Sequence, residues 1–293
     1  MARGAMDSSS RAAAPRAASR VRPLPAMLDA RPSPAAAAAT DSAPLVSVVV
    51  PVRNEAPNIA PLLAEIRAAL SGHGPHEIVY VDDGSTDATA EALAEAARAG
   101  GLVRLRHRVA CGQSAAIATG VKAARGHWIV TLDGDGQNDP ADIPRLLAAA
   151  QAEDAADPAP LLIVGHRTAR RDTRVKRAAS RIANAVRARL LGDATPDSGC
   201  GLKVFRRADF LDLPRFDHMH RYLPALFLRA GGRVRSVPVN HRPRLRGRSN
   251  YGVLDRLGVA VFDLIGLIWL QRRGRRPEVE ALPPPGNAGP DAT

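Results

Sequence analysis

The stretch WIVTLDGDGQNDP, residues 128–140, joins an apolar run to a series of polar side chains at alternate positions. The apolar run predicts a buried strand. Three carboxylates and an amide follow its end: Asp133, Asp135, Gln137 and Asp139. Carboxylates gathered at one strand end repel one another unless a cation lies among them. The segment therefore predicts a metal ion, a basic neighbour or water at this point.

Strands and helices alternate on both sides of this stretch. A run of β-branched residues at 45–50, stopped by Pro51, predicts a buried parallel strand, and apolar residues at helical spacing follow it over 57–70. Four such rounds, ending in a helix that begins near Pro140, predict an α/β fold with an open, doubly wound, mostly parallel sheet. Its ligand site should lie at the carboxyl ends of the strands. The residues expected to converge there are Asp82, Asp83, Asp133 and Asp135.

Several classes of site are disfavoured by the same sequence. No GxGxxG follows the first strand and no GxxxxGK[ST] occurs, which argues against dinucleotide and P-loop sites. Cys111 and Cys200 lie far apart without a CxxC pair, so neither a zinc site nor a disulfide framework is indicated. A reducing cytoplasm is the expected compartment.

The net charge of +12 is unevenly placed. Residues 165–248 hold 21 Lys and Arg against six Asp, a surplus of 15. This surplus suggests a polyanionic partner: nucleic acid, an anionic membrane or a phosphate-bearing substrate. The alternative is a solvated Arg-rich face, which we expect for Arg187 and Arg189. Aromatic residues make up 3% of the chain and do not alternate with basic ones, which disfavours nucleic acid.

Eight motifs, in order, resemble those of the family 2 inverting glycosyltransferases of GT-A fold. The resemblance runs from about Leu45 to Arg273 and is closest to the branch of dolichyl-phosphate mannosyltransferase and bacterial polyprenyl-phosphate glycosyltransferases. The motifs are VVVPVRNE, VDDGSTD, GQSAAIATGVKAARG, LDGDGQNDP, VGHR, DSGCGLKVFRR, HRYLPALF and HRPRLRGRSNYG. The resemblance implies a single catalytic domain over 45–252. The composition of residues 1–44, rich in Ala, Pro and Arg with few branched apolar residues, predicts a disordered leader, and residues 274–293 are expected to form a disordered tail after the segment 253–273.

The resemblance also implies which residues bind the nucleotide sugar, a GDP-mannose or UDP-sugar type of donor. These are Pro51, Arg53, Glu55, Asp83 with Asp82 beside it, Asp133, and Arg244 and Ser249 in a loop over the diphosphate. A carboxylate at a strand end can accept from a base N–H or a ribose hydroxyl. The alternative for the VDDGSTD segment is a helix cap by Ser85 or Asp87.

In the resembling enzymes, Asp133, Asp135 and Gln137 would hold Mg²⁺ or Mn²⁺ on the donor diphosphate, and hard oxygen ligands suit either ion. This chain departs from the commoner family pattern, which has Ala and Leu where Gly134 and Gly136 stand. Because glycine is conformationally free, we expect the two glycines to loosen the ligands, and a non-catalytic nucleotide binder stays open as an alternative. In the family an Asn usually precedes Gly-Gln-Ser. This chain has no Asn there, and the segment 108–112 reads RVACG.

The acceptor site implied by the resemblance consists of Arg167, Lys176 and Ser180, with Asp197 as either a base or an acceptor-positioning group. Arg167, Asp135 and Asp197 are the residues expected to act in catalysis. A phosphate acceptor is largely dianionic near pH 7 and needs no general base, whereas a hydroxyl acceptor would require one. The expected reaction is inverting transfer of a sugar to a polyprenyl phosphate. The alternatives are transfer to a sugar or protein hydroxyl and, in a different class, a basic nucleic-acid-binding protein.

The segment 253–273 predicts an amphipathic helix. Its apolar stretch from Gly258 to Leu270, interrupted by Asp263, is thirteen residues long. At about 1.5 Å per residue it cannot cross a hydrocarbon core about 30 Å thick. Trp269 and the arginines after it are typical of a membrane-surface anchor, so we expect peripheral contact with the inner face of the membrane. A buried packing helix or a dimer contact is the alternative.

Overall fold

The computed structural model describes residues 45–167, 187–243 and 253–273. The described residues place seven strands in one sheet, in the order β3-β2-β1-β4-β6-β5-β7. The pairs β1–β2, β2–β3, β1–β4 and β5–β7 are parallel, whereas β6 is antiparallel to both β4 and β5. The strands are β1 (Val46–Val52), β2 (His76–Asp82), β3 (Leu102–Arg106), β4 (Trp128–Thr131), β5 (Leu161–Arg167), β6 (Lys203–Arg206) and β7 (Arg233–Val239). The predicted α/β fold with a mostly parallel sheet is confirmed.

Helices cover both faces of this sheet, as a doubly wound fold requires. The helices are α1 (Ala56–Leu70), α2 (Thr89–Arg98), α3 (Gln113–Ala123), α4 (Ile143–Ala156), α5 (Arg207–Leu211), α6 (Leu223–Arg229) and α7 (Val253–Arg273), with short 3₁₀ turns at Pro140–Asp142 and Met219–Arg221. Alternate strand residues point to opposite faces, so Val48 and Val50 pack with α1 and α4, while Val49 packs with α3 and α6. Each face thus has its own apolar core.

The first strand does not stop at Pro51 as predicted, but continues through it to Val52. The Val49 carbonyl accepts from the Leu132 N–H on the β4 side, and Pro51, two residues on, faces the same side. Strand β4 has already ended at Thr131. The missing N–H of Pro51 therefore costs no ladder hydrogen bond, which is how a central strand accommodates proline here.

The antiparallel strand β6 brings a second chain segment to the carboxyl edge of β4. Lys203 pairs with Thr131, so the residues just before Lys203 lie beside the residues just after Thr131. The Thr131 hydroxyl donates to the Gly201 carbonyl at 2.7 Å. This crossing sets the SGCG segment, 198–201, against the LDGDGQ segment that follows β4.

Helix α7 packs one face on the body of the domain. Leu267 is 1% exposed and belongs to the core on the α3 face of the sheet. The Gln271 side chain donates to the Leu191 carbonyl at 2.9 Å, and Asp263 forms an ion pair with His218 at 3.2 Å. No helix in the described ranges is long and apolar enough to span a membrane.

Candidate active site

The Asp133 carboxylate lies at the carboxyl edge of β4 and is held from two sides. Its Oδ1 accepts from Gln113 Nε2 at 2.8 Å, and its backbone N–H donates to the buried Asn138 side chain at 3.2 Å. Burial raises the pKa of the Asp133 carboxyl and the charge of Asp135 raises it further, whereas Lys203 acts in the opposite direction. Two carboxylates are therefore held close together at a cost that a bound cation would remove.

The rest of the acidic loop divides into binding and structural positions. Asp135 Oδ1 accepts from the Gln137 backbone N–H at 3.0 Å, so the loop turns back on itself between two expected metal ligands. Asp139 has a structural role, because its carboxylate accepts from the Ala141 N–H and caps the 3₁₀ turn that begins α4. The alternate polar positions of the sequence thus serve two purposes.

The start of α3 links Asp133 to Asp83. The carboxylate of Asp83 accepts from the backbone N–H groups of Cys111 and Gly112 at 2.7 and 2.8 Å, and the next residue, Gln113, binds Asp133. Asp83 is also 2.7 Å from His107 Nδ1. Backbone donors to Asp83 hold the 108–112 segment, where the usual family Asn is absent.

Asp82 and the residues after it form the turn into α2. The Asp82 carboxylate accepts from the Ser85 N–H at 2.8 Å and lies 3.2 Å from Arg106 Nε. Asp87 accepts from the Thr89 N–H at 3.0 Å. Of the two residues considered as caps of the helix start, Asp87 accepts from the first helical N–H, whereas the Ser85 hydroxyl accepts from the Asn54 backbone N–H. Asp83 binds the start of α3 instead.

At the end of β1, the three residues expected to contact nucleotide differ in exposure. Pro51 is buried and lines a cavity beside Asp133. Arg53 is exposed. Glu55 is buried at the start of α1, where its carboxylate accepts from Asn58 Nδ2 at 2.6 Å. Arg53 is therefore accessible to a ligand, whereas the Glu55 side chain is buried and fixed by its hydrogen bond to Asn58.

Arg167 and Asp197, both expected to act in catalysis, bind each other. Arg167 Nε and Nη2 donate to the two carboxylate oxygens of Asp197 at 2.6 and 2.7 Å, and the Arg167 backbone N–H donates to Asp197 at 3.3 Å. Burial opposes the charge on Arg167, but hydrogen bonding and the charge of Asp197 outweigh burial and raise the arginine pKa. The pair is a forked ion pair of fixed geometry.

Two glycines let this pair approach the metal loop. A Cβ on Gly201 would lie 2.2 Å from Asp133 Cγ, so only glycine permits the contact. A Cβ on Gly199 would lie 3.7 Å from Arg167 Nη2 and 3.9 Å from Asp197 Oδ1. The SGCG segment thus lies between the two groups: Gly199 and Gly201 line the hollow beside Asp133, and the charge of Arg167 acts to lower the pKa of Asp133.

Two residues of this hollow, the buried Lys203 and the half-buried His220, received no role from the sequence. Lys203 and His220 line the same cavity as Asp133 and Pro51. Burial lowers the pKa of Lys203, although the charges of Asp133 and Asp197 favour its protonated form. Lys203 stands inside an apolar strand within a quoted motif, and a lysine in a predicted core strand is the signal that points to a special role.

The solvated-face interpretation of Arg187 is wrong, whereas Arg189 is exposed as expected. The Arg187 side chain is 13% exposed and forms an ion pair at 3.2 Å with Asp193, which is 1% exposed. It also donates to the Ser198 hydroxyl and the Thr195 carbonyl. Arg187 therefore holds the turn that presents Asp197.

Several basic residues in the described ranges are paired with carboxylates within the domain. Arg206 pairs with Asp154 at 2.7 Å, Arg233 with Glu153 at 2.7 Å, and Arg242 with Glu65 at 2.6 Å. Such pairing removes part of the cationic surface that nucleic acid would need, among the described residues.

Four of the expected ligand-binding residues lie outside the described ranges: Lys176, Ser180, Arg244 and Ser249.

The residues that follow β4 fit a hard divalent ion. Asp133, Asp135 and Gln137 offer oxygen ligands, and the pKa of Asp133 is raised first by burial and then by the charge of Asp135. A second group, Asp83, His107 and Cys111, also has ligand atoms within 4.8 Å of one another. The Asp83 oxygens of that group already accept hydrogen bonds from His107 and two backbone N–H groups.

The sheet and the site at its carboxyl edge have the GT-A fold, as two solved structures show. Glucosyl-3-phosphoglycerate synthase from Mycobacterium tuberculosis, solved with Mn²⁺, UDP-glucose and phosphoglyceric acid, matches with a TM-score of 0.56 and 21% identity over 78% of this chain and 79% of that one. Mannosyl-3-phosphoglycerate synthase from Rubrobacter xylanophilus matches with a TM-score of 0.57 and 21% identity, over 81% and 78% of the chains. At these identities the likeness shows the fold alone.

The chain belongs to glycosyl transferase family 2, whose model matches residues 47–213. It is 34% identical to the dodecaprenyl-phosphate galacturonate synthase of Rhizobium johnstonii over 79% of this chain and 69% of that protein. It is 36% identical to the undecaprenyl-phosphate 4-deoxy-4-formamido-L-arabinose transferase of Edwardsiella ictaluri over 75% of this chain and 66% of that protein. The chain thus spans about two thirds of the length of these relatives. The predicted family and the prediction of a glycosyltransferase enzyme are confirmed.

Proposed function

We propose that this protein transfers a sugar from a nucleoside-diphosphate sugar to a polyprenyl phosphate with inversion at the anomeric carbon. In this reaction an acceptor phosphate oxygen forms a bond to the anomeric carbon. The bond from that carbon to the donor diphosphate breaks, and the nucleoside diphosphate leaves with the electron pair. The names of the two relatives, which both include a polyprenyl phosphate, support this acceptor class.

The observation that carries the proposal is the forked pair of Arg167 and Asp197. Both Asp197 oxygens already accept hydrogen bonds from the guanidinium, so Asp197 is suited to position Arg167 rather than to remove a proton. A hydroxyl acceptor would need a base, whereas a phosphate dianion needs none. Of the two roles considered for Asp197, positioning is therefore the better supported, and it favours a phosphate acceptor.

On the acceptor side, Arg167 is the proposed phosphate ligand. Its Nη1 has no acceptor within the described part of the chain, and a guanidinium presents five N–H groups in a planar fork. Lys176 and Ser180 are proposed to complete this site on grounds of the family pattern alone. The positive charges of Arg167 and Lys176 would attract the anionic acceptor.

On the donor side, Asp133, Asp135 and Gln137 are the proposed ligands of Mg²⁺ or Mn²⁺. Such an ion, when bound, stabilises negative charge on a leaving diphosphate. Pro51, Arg53, Glu55, Asp82 and Asp83 are proposed to form the nucleotide pocket, with Arg244 and Ser249 over the diphosphate.

We also propose that the protein works in the cytoplasm, against the inner face of the membrane. The outer face of α7 exposes Phe262 and Trp269, 78% and 61% exposed, together with Val261 and Ile265. Arg272 and Arg273 follow at the end of the helix. An apolar face with a terminal aromatic and arginines is suited to the interface of an anionic bilayer, where a lipid phosphate would be presented.

The test is incubation of the purified chain with undecaprenyl phosphate, Mn²⁺ or Mg²⁺ and a panel of UDP- and GDP-sugars, with lipid-linked product read by mass spectrometry. The wild type should give product with at least one donor. Asp135→Asn should lower the rate roughly 100-fold, because it removes a ligand charge. Asp139→Asn is the matched control: it lies in the same loop but caps the 3₁₀ turn, and should retain the rate. Transfer to a soluble sugar hydroxyl, with none to lipid phosphate, would contradict the proposed acceptor.

A further inference from the structure

A cavity beside Asp133 contains polar groups that the roles assigned above do not use. Its apolar wall includes Ile117 and Leu223, and its polar lining includes Gln113, Lys203 and His220. Of the residues proposed to hold the nucleotide, Pro51 lines this cavity and Asp83 does not. It opens beside the carboxylate proposed to bind the metal and the diphosphate.

The hydrogen bonds of Ser114 favour one tautomer of the His220 ring. The Ser114 hydroxyl oxygen accepts from the His220 backbone N–H at 3.2 Å and lies 2.7 Å from His220 Nδ1. With a backbone donor already on its oxygen, the hydroxyl is free to donate its own hydrogen to Nδ1. Nδ1 then acts as the acceptor, and the proton of the neutral ring is on Nε2.

Two further observations agree with a neutral ring that offers Nε2–H to a ligand. Burial, with the charges of Lys203, Arg221 and His218, lowers the pKa of His220 well below its ordinary value. Within the described residues Nε2 has no hydrogen-bond partner, and it is not among the fully enclosed unpaired atoms. The cavity therefore receives a hydrogen-bond donor whose orientation is set by Ser114.

Lys203 supplies a second donor group to the same cavity. Its ammonium group donates to the Cys200 carbonyl, and no other acceptor occurs for it among the residues the structure describes. An ammonium group has three N–H donors, so two remain. A buried lysine with unused donors is costly unless a ligand accepts from them.

We propose that His220 Nε2–H and Lys203 Nζ form the subsite for the donor sugar, donating hydrogen bonds to oxygen substituents of its ring. This inference rests on the proposed function, because it takes the donor diphosphate to lie at Asp133 and Asp135. The sugar is bonded to that diphosphate and must occupy adjoining space. The apolar wall at Ile117 and Leu223 suits the C–H face of a pyranose, and the two donors suit its hydroxyl or carboxylate oxygens.

The test compares binding of a nucleotide sugar with binding of its nucleoside diphosphate, by calorimetry with Mn²⁺ and no acceptor. The probes are UDP-glucose, UDP-galacturonate and GDP-mannose against UDP and GDP. His220→Phe should weaken the nucleotide sugar roughly tenfold while leaving the nucleoside diphosphate unchanged. His220→Gln, whose amide nitrogen can replace Nε2, should recover most of the loss. Lys203→Met, which keeps a four-atom apolar side chain but removes the ammonium group, should weaken the nucleotide sugar more than the nucleoside diphosphate.

Two variants separate recognition from local structure. Ser114→Ala releases the ring orientation and should give a smaller selective loss of sugar binding. His218→Asn is the control, since His218 lies two residues away but pairs with Asp263 outside the cavity. It should bind both ligands as the wild type does.

Each contrary result identifies a different error. Equal weakening of nucleoside diphosphate and nucleotide sugar by His220→Phe, or no weakening of either, would overturn the sugar subsite. A higher KM for undecaprenyl phosphate with unchanged donor binding would overturn it as well, and would assign the cavity to the acceptor. Because binding is measured without acceptor, failure of lipid transfer would refute the proposed acceptor while leaving this test intact.

Discussion

Gly134 is one of the positions where this chain departs from the pattern of the resembling family, and its surroundings give that departure a physical reason. A Cβ at residue 134 would lie 2.4 Å from Val52 Cγ1 and 3.0 Å from the Pro51 carbonyl oxygen. Val52 is 3% exposed and ends β1. The space that an alanine would fill is therefore occupied by Val52. We predict that Gly134→Ala destabilises the protein and that Val52→Ala relieves much of the damage.

The expected size follows from the overlap. Non-bonded carbons prefer separations of about 3.5–4.0 Å, so a contact at 2.4 Å must be relieved by movement of Val52 or of the metal loop. Overpacking of this kind costs about 1–3 kcal/mol. Val52→Ala alone should cost about 2 kcal/mol through lost burial. The double variant should be more stable than the sum of the two losses by about 1–2 kcal/mol.

The assay is chemical unfolding of the four proteins in a double-mutant cycle, with Mn²⁺ affinity measured on the same samples. Gly136→Ala serves as the control: a Cβ there meets nothing within 4 Å, but its φ of +72° disfavours alanine. It should lose about 1 kcal/mol, and Val52→Ala should not restore it. If the losses for Gly134→Ala and Val52→Ala are additive, the steric explanation of Gly134 is refuted. The earlier expectation, that the glycine loosens the metal ligands, would then stand.

Three further predictions concern Arg167, the turn held by Arg187, and helix α7. Arg167→Lys cannot keep the forked pair and should lower kcat/KM for undecaprenyl phosphate about 10–100-fold in steady-state kinetics, with donor binding by calorimetry unchanged. Arg187→Ala leaves a buried carboxylate unpaired and should lower the free energy of unfolding by about 3 kcal/mol in urea, whereas the exposed Arg189→Ala should leave it unchanged. Replacing both Phe262 and Trp269 by Ser should reduce sedimentation with phosphatidylglycerol-containing vesicles while leaving the melting temperature unchanged; equal sedimentation would contradict the membrane face.

Local patterns were sufficient to predict the first four strands and their helices. Strands β1, β2 and β4 are largely apolar runs, β3 is a mixed segment between turns, and the helices have apolar residues at 3.6 spacing, so the information lies within about fifteen residues. The carboxyl-edge rule for parallel sheets then placed Asp133 and Asp83 on the same edge, and the structure links them through the start of α3. These were predictions from sequence that needed no long-range contact.

The contribution of β6 depends on long-range contacts and could not be predicted in the same way. Only the antiparallel register of β6 on β4 sets Lys203 beside Thr131, and no local pattern specifies which strand a four-residue segment joins. His220 likewise reaches the cavity by pairing with Ser114, 106 residues away in sequence. Arg187 was misassigned for the same reason: its partner Asp193 is near in sequence, but burial of the pair is a tertiary property.

The charges of the hollow explain why its parts belong together. When all five groups are ionised, Asp133, Asp135 and Asp197 carry three negative charges and Arg167 and Lys203 carry two positive charges. The net charge of the group is then one negative charge. A divalent ion would change this balance from one negative to one positive charge. An anionic diphosphate and an anionic acceptor would then both meet a favourable field, and neither would do so before the ion is in place. The arrangement therefore favours binding of the metal and the donor together, because the charge that repels the phosphates is the charge that attracts the ion.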